Sequence, residues 1–173
     1  MSFWCHLFYA TYMAFRSYEA SDHEALLYLI NGLQSYIASL DHLHRQKSGN
    51  DFDAENYVAR MLQKVSDNEG EIFIAETDKE VVGCIVGYIP RPSKEDLLES
   101  YPAKEGVILE LIVSEQMRGS GIGSELMKAM EEYFREKGCV FVRVTCFAPN
   151  IDAHTFYQKH GYGERSIDML KKL

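Results

Sequence analysis

The chain has 173 residues, of which 46% are hydrophobic and 25% are charged, a composition typical of one soluble globular domain. Its formal net charge of −8 argues against general nucleic-acid binding, which needs a basic face. No apolar run approaches the roughly 18 residues of a membrane-spanning helix, so we expect no membrane partner.

The cysteines and histidines give no sign of a metal or disulfide framework. Cys84, Cys139 and Cys146 lie in or beside apolar runs without paired spacing. We therefore expect buried thiols in a reducing, cytoplasmic compartment. His42 and His44 have no cysteine or carboxylate at a ligand spacing, so no metal is expected.

The chain begins with an apolar, aromatic segment that lacks the basic start and cleavage site of a signal peptide. We expect residues 1–12 to be an extension, native or upstream, before a single domain over residues 13–173. Alternation over residues 13–19 predicts a first strand. Ser21-Asp22 offers a cap for a helix over residues 25–40, which Asn31-Gly32 could divide into two.

The middle of the chain predicts a helix and then a hairpin. Residues 42–53 are polar and predict a loop, whose last residue, Asp53, can cap a helix over residues 54–65. Further elements follow: strands at 71–77 and 81–89, a charged excursion over 93–106 with a candidate short helix at 95–99, and a strand at 107–113.

A glycine-rich stretch, Gln-Met-Arg-Gly-Ser-Gly-Ile-Gly-Ser at residues 116–124, lies between that strand and an amphipathic helix over residues 125–137. Gly119, Gly121 and Gly123 allow positive φ and close backbone approach to a ligand. Free N–H groups at a helix start suit a pyrophosphate. The stretch lacks the Gly-Lys-Ser/Thr ending of a nucleotide-hydrolysing loop and the Gly-x-Gly-x-x-Gly spacing of a dinucleotide fold.

The remaining elements are a strand over residues 140–147, a helix over 150–160 and a last strand over 166–170. The helix reads Asn150-Ile-Asp-Ala153-His-Thr-Phe156-Tyr157-Gln-Lys159-His-Gly161-Tyr162. This segment and Arg118-x-x-Gly121-x-Gly123 resemble two motifs of the GCN5-related N-acetyltransferase (GNAT) family. Only the last position departs, with tyrosine in place of phenylalanine.

The resemblance implies an α/β (α+β) fold with a mixed central sheet flanked by helices. In that fold two parallel strands splay, here 107–113 and 140–147, and the pantetheine arm of the cofactor pairs with backbone between them. It also implies acetyl-CoA as co-substrate, no metal, and acetyl transfer to a primary amine by direct attack in a ternary complex.

The resemblance assigns roles to particular residues. Pantetheine pairing falls to the backbone of Leu111, Ile112 and Val113, with the Val113 N–H as oxyanion donor. Pyrophosphate binding falls to Arg118, Gly119, Ser120, Gly121, Ile122, Gly123 and Ser124. Asn150 is expected to contact the cofactor arm, with a helix cap as the alternative.

For the proton transfers, Tyr157 is expected to act as general acid toward the leaving thiolate, because a phenol is protonated at neutral pH. Glu110 is expected to accept the amine proton. Glu105, at the start of the same strand, and a chain of water molecules are the alternatives.

The sequence says less about the acceptor substrate than about the cofactor. The family builds its pocket from segments that here carry Tyr36, Asp41, Asp51, Phe52, Asp53 and Tyr57, and such acidic and aromatic groups suit a small cationic amine. A protein N-terminus or lysine is an alternative that would need an open groove between residues 42–53 and 162–168. A non-catalytic acyl-CoA sensor and a homodimer paired through the N-terminal segment or a late strand also stay open.

Overall fold

A computed structural model describes residues 13–93 and 96–173. The predictions for residues 1–12, and for the start of the short helix at residue 95, lie outside these described residues. Across the described ranges, no helix is both long and apolar enough to cross a membrane.

The described residues form five strands and five α-helices, in the predicted order as far as the last helix. The elements are β1 Met13–Ser17, α1 His23–Leu40, α2 Ala54–Asp67, β2 Glu71–Thr77, β3 Glu80–Tyr88, α3 Asp96–Glu99, β4 Glu105–Val113, α4 Ile122–Glu136, β5 Phe141–Val144 and α5 Ile151–Lys159. The sheet order is β1-β2-β3-β4-β5. All pairs are antiparallel except β4 with β5, which is parallel, so the mixed sheet is confirmed.

Helices cover both faces of the sheet because its inner strands alternate between two apolar layers. Along β3, Cys84 and Val86 pack with α1 and α2, whereas Ile85 packs with α4. The α4 helix lies very close to the sheet at Gly106, where an added Cβ would come within 2.4 Å of the Phe134 ring. Glycine is therefore required there by packing.

The helices in the first half differ from the predictions at two points. The α1 helix runs unbroken through Asn31-Gly32, and the Asn31 amide donates to the Leu27 carbonyl (3.0 Å), which ties it to the preceding turn. Asp22 does not cap α1 with its side chain. Its carboxylate accepts the Glu19 N–H (2.8 Å) and pairs with Arg16 (2.7 Å), which is the stronger partner for a buried carboxylate.

The predicted last strand over residues 166–170 is wrong, because residues 163–173 have no regular structure. This C-terminal segment is held by other contacts. His154 lies 2.9 Å from Glu164, Arg165 lies 3.8 Å from Glu105, and the end of the segment approaches Leu43. Alternating sequence makes a strand only where a neighbouring strand is available for pairing, and these contacts lead the segment elsewhere.

Candidate active site

The parallel strands β4 and β5 are paired over only part of their length. Their register runs from Glu105 opposite Phe141 to Ile108 opposite Val144, where β5 ends. The β4 strand continues to Val113. Among the described residues, positions 109–113 of β4 therefore have no strand partner on the β5 side, and we call this space the gap.

Strand alternation decides which backbone groups face the gap. The Ser114 N–H donates to the Val82 carbonyl of β3 (2.8 Å). Because alternate residues of an antiparallel pair point to the same neighbour, Ile112 also faces β3, whereas Leu111 and Val113 face the gap. The N–H and C=O groups of Leu111 and Val113 can pair with an extended ligand as a strand would.

The glycine loop, residues 118–124, joins β4 to α4 at one end of the gap. Gly119 has φ 77° and Gly121 has φ 91°, and no atom lies within 4 Å of a Cβ built on either. Among the described residues, the N–H groups of Gly119, Gly121, Ile122 and Gly123 have no protein acceptor. These donors at the start of a 15-residue helix form a cradle that fits a pyrophosphate.

Other contacts of the glycine loop are made by side chains within the protein. The Ser120 hydroxyl donates to the Met117 carbonyl (2.6 Å). The His160 Nδ1–H donates to the Phe156 carbonyl (2.8 Å), so in a neutral ring Nε2 accepts from the Ser124 hydroxyl (3.0 Å). The Ser120 and Ser124 N–H groups also donate to protein carbonyls, those of Met117 (3.4 Å) and Gly121 (3.0 Å), so pyrophosphate binding by these two serines stays a prediction.

Two further contacts set the position of the loop. A Cβ at Gly123 would lie 3.4 Å from the Phe156 ring and 3.7 Å from Val113, so the loop, β4 and α5 meet at this glycine. The exposed Arg118 guanidinium lies over the Tyr36 ring of α1, 5.2 Å from its centroid. This cation–π contact places the Arg118 charge where the loop begins.

Tyr157 is half-buried on α5, with its ring edge-on to Phe156 (5.6 Å between centroids) and Tyr162 (5.9 Å). Burial raises the pKa of the Tyr157 hydroxyl, and negative charge at Cys146 and Glu110 raises it further. Within the described residues, no side-chain hydrogen bond contributes to this shift. The hydroxyl therefore stays protonated at neutral pH, as a proton donor must.

Asn150 occupies the position before α5 and is 8% exposed. Its Oδ1 accepts the Ala153 N–H (3.2 Å), so the capping alternative is observed. The other half of the amide, the NH₂ group, makes no hydrogen bond in the described part of the chain. A cofactor contact through that group stays a prediction compatible with the cap.

The two candidate bases on β4 have different surroundings. The pairing of β3 with β4 shifts between Val86 and Gly87, which leaves Leu109 without an opposite residue and turns Glu110 toward α2. There the half-buried Glu110 carboxylate accepts a hydrogen bond from the Tyr57 hydroxyl. Burial raises the pKa of Glu110, and the Tyr57 hydrogen bond opposes this by lowering it.

Glu105 lies at the paired end of β4. It forms ion pairs with Arg143 (2.8 Å) and Arg165 (3.8 Å). Five residues separate it from Glu110, which is about 17 Å along a strand. Glu105 therefore holds β5 and the C-terminal segment, and Glu110 is the carboxylate near the gap.

Several predicted acceptor residues instead organise the loop between α1 and α2, residues 41–53. Asp41 is 6% exposed and accepts the N–H groups of Leu43, Arg45 and Gln46 at 3.0, 2.6 and 2.9 Å. Asp53 caps α2 as predicted, accepting the Asn56 N–H at 3.0 Å. This leaves Asp51 exposed in the loop and Phe52 packed on Tyr57 (5.5 Å between centroids).

Sequence reasoning missed the contact between this loop and the C-terminal segment. Leu43 and Arg45 line a pocket of about 230 Å³ together with Leu170, Lys171 and Lys172. No motif indicates this contact, because it joins segments more than 100 residues apart. Among the described residues no cluster of His, Cys, Asp or Glu has a metal-binding arrangement.

Comparison with known sequences identifies the family. The sequence model of the acetyltransferase (GNAT) family matches residues 37–162. An N-acetyltransferase of Methanocaldococcus jannaschii, which is described as uncharacterized, is 32% identical over 55% of this chain and 54% of its own length. The aligned region thus spans about half of that relative.

Two relatives with named acceptors are aligned over more of their length. An aminoglycoside N(6′)-acetyltransferase of Stenotrophomonas maltophilia is 28% identical over 65% of this chain and 72% of its own. An N-alpha-acetyltransferase of Sulfurisphaera tokodaii is 36% identical over 65% and 69%, respectively.

Solved structures share the fold at low identity. A mutant of a Bacillus halodurans protein superposes with a TM-score of 0.80 at 17% identity, covering 92% of this chain and 99% of that one. An aminoglycoside N-acetyltransferase in complex with CoA gives 0.66 at 16% identity, covering 94% and 95%. With the family match and the splayed strands, the chain belongs to the GNAT acetyltransferase family.

Proposed function

We propose that this protein transfers the acetyl group of acetyl-CoA to the primary amine of a small cationic molecule, by direct attack in a ternary complex. The observation that carries the proposal is the gap. Backbone donors of β4 and the glycine loop border it, and Glu110 and Tyr157 lie close enough for the Glu110 charge to raise the Tyr157 pKa.

The cofactor would be held mainly by backbone. Leu111 and Val113 offer N–H and C=O groups to the pantetheine arm, with Ile112 between them facing β3. The free N–H groups of the glycine loop would bind the pyrophosphate, and Arg118 adds positive charge. The Val113 N–H would donate to the carbonyl oxygen as negative charge develops there.

Side chains would move the protons. Glu110 accepts a proton from the amine, directly or through water, as the nitrogen forms its bond to the acetyl carbon. The carbon–sulfur bond then breaks, and the Tyr157 hydroxyl donates its proton to the leaving thiolate. Glu110 would thus accept the proton that the amine loses, and the protonated Tyr157 hydroxyl would supply the proton that the thiolate gains.

A small cationic acceptor is supported by three observations. The net charge of the chain is −8, which attracts cations. Phe52, Tyr57 and Glu110 place aromatic and acidic groups together on the α2 side of the sheet. Residues 170–172 of the C-terminal segment line one pocket with Leu43 and Arg45, so the end of the chain lies against the α1–α2 loop and would restrict the access that a protein acceptor needs.

A protein N-terminus is the second candidate, and the relative that favours it is the N-alpha-acetyltransferase at 36% identity. Homodimer formation and a cytoplasmic location stay predictions.

The test is calorimetric titration with acetyl-CoA, followed by a thiol-release screen. Polyamines and aminoglycosides would be compared with peptides that carry a free N-terminus. Acetyl-CoA-dependent release with a polyamine or aminoglycoside, and none with peptides, is expected. Release only with peptides would replace the small acceptor by the second candidate, and binding without any release would indicate a sensor. No binding of acetyl-CoA would contradict the proposal at its first step.

A further inference from the structure

Tyr57, which the sequence places in the acceptor pocket, reaches from α2 to the candidate base on β4. It lies in the first turn of α2, where its N–H donates to the Asp53 carbonyl (3.0 Å). Asp53 in turn accepts the Asn56 N–H, and Phe52 packs against the Tyr57 ring. Backbone and ring are thus both fixed, which gives the hydroxyl a defined position.

The hydroxyl meets a carboxylate that has few other partners. Among the described residues, no lysine, arginine or histidine pairs with Glu110, and Tyr57 is its hydrogen-bond donor. The other ionisable groups facing Glu110 are Cys84 of β3 and Tyr157 of α5, and the Glu110 charge raises the pKa of each. Both are neutral at neutral pH, so neither compensates the carboxylate.

We propose that Tyr57 is a positioning residue, which holds Glu110 by Oε1 and leaves Oε2 free to accept the amine proton. The inference rests on the proposed function, because it concerns the base of that reaction. The carboxylate can rotate about its last side-chain bond, and a single fixed donor selects one orientation. The bulge at Leu109 supplies the other constraint by turning Glu110 toward α2.

Removal of the hydroxyl has a signature that a purely structural role would not give. A hydrogen bond to the carboxylate favours its charged form, so Tyr57→Phe raises the Glu110 pKa. A base must be ionised, so kcat/KM rises with pH through this pKa and the rise moves to higher pH in the variant. We expect a shift of about one pH unit, which is a loss of about tenfold on the acidic side. At pH values above this rise, which we call the acidic limb, much of the activity returns.

The experiment compares Tyr57→Phe with Tyr133→Phe as matched control. Tyr133 also loses a bonded hydroxyl, which donates to the Glu69 carbonyl (3.1 Å), but its ring packs in the α4 layer away from Glu110. One readout is the pH profile of kcat/KM with acetyl-CoA and the best amine of the screen. The other is the ¹³C carboxyl titration of Glu110, assigned by its disappearance in Glu110→Gln, which needs no acceptor.

The inference is supported if the carboxyl titration and the acidic limb move up together in Tyr57→Phe and stay in place in Tyr133→Phe. An unchanged Glu110 titration in Tyr57→Phe overturns it, and so does a titration that moves without the limb. Failure of the proposed function looks different: wild-type protein transfers no acetyl group, or Glu110→Gln keeps the acidic limb. Thermal melting of both tyrosine variants checks that they are folded.

Discussion

The two sides of the gap differ in what they offer a ligand. On the α4 side, the donors are backbone N–H groups of one short loop, with glycines where φ is positive. On the α2 side, the groups are the side chains of Phe52, Tyr57 and Glu110, brought together from separate segments. A backbone site leaves a contiguous glycine pattern in the sequence, whereas a side-chain site is assembled only by folding.

If the α2 side acts in chemistry and the α4 side in binding, Glu110→Gln should have the largest effect. We expect kcat to fall about a thousandfold, because the base is lost, with little change in acetyl-CoA affinity. Stopped-flow turnover and calorimetry measure the two quantities separately. A variant that lost acetyl-CoA affinity and kept kcat would reverse the roles of the two sides.

Tyr157→Phe tests the candidate proton donor on α5, which packs on the α4 side. We expect kcat to fall about a hundredfold through loss of the proton donor. In the wild type, burial raises the Tyr157 pKa above the ordinary tyrosine value of about 10. Because the donor must be protonated, kcat should begin to fall with rising pH only above that value, which sets the alkaline limb of the profile. A limb at or below that value, or full activity in the variant, would remove Tyr157 from the mechanism.

Gly121→Val tests the backbone conformation of the glycine loop on the α4 side. The left-handed φ of 91° is strained for a β-branched residue, so the loop should shift and acetyl-CoA affinity should fall about tenfold. Gly163→Ala is the control, since that glycine has no positive φ and open space around it. Equal affinities in the two variants would show that the loop conformation does not matter for binding.

Gly106→Ala should leave the chemistry of both sides nearly unchanged while testing the contact between α4 and the sheet. Its Cβ would overlap the buried Phe134 ring, so we expect a loss of about 1–3 kcal/mol in the free energy of unfolding. Denaturant titration measures it. Gly32→Ala, on the exposed side of α1, should be neutral or stabilising, and a similar loss there would contradict the packing explanation.

Most of the elements could be predicted from the sequence, because each has local signals. The hairpin of β2 and β3, the Asp53 cap and the amphipathic α4 all follow from patterns within a few residues. The predictions fail where the structure supplies a partner, or lacks one, that the local pattern does not indicate. Ser21-Asp22 is predicted to cap α1, but Asp22 pairs with Arg16, six residues before it. Residues 166–170 alternate like a strand but pair with no strand among the described residues.

The residues of the candidate site also separate into those that local patterns predict and those whose contacts only folding decides. The sequence by itself determined the family and the glycine loop, since these rest on contiguous motifs. It also predicted roles for Tyr157, within the second motif, and for Glu110, from its place on the strand before the loop. Only the tertiary structure decided that Glu105 is tied to Arg143 and that Tyr57 donates to Glu110. The physical reason is that a carboxylate or phenol has the same sequence signature whether it meets a backbone N–H, a cation or a substrate. Its partner is chosen by packing between segments far apart in the chain.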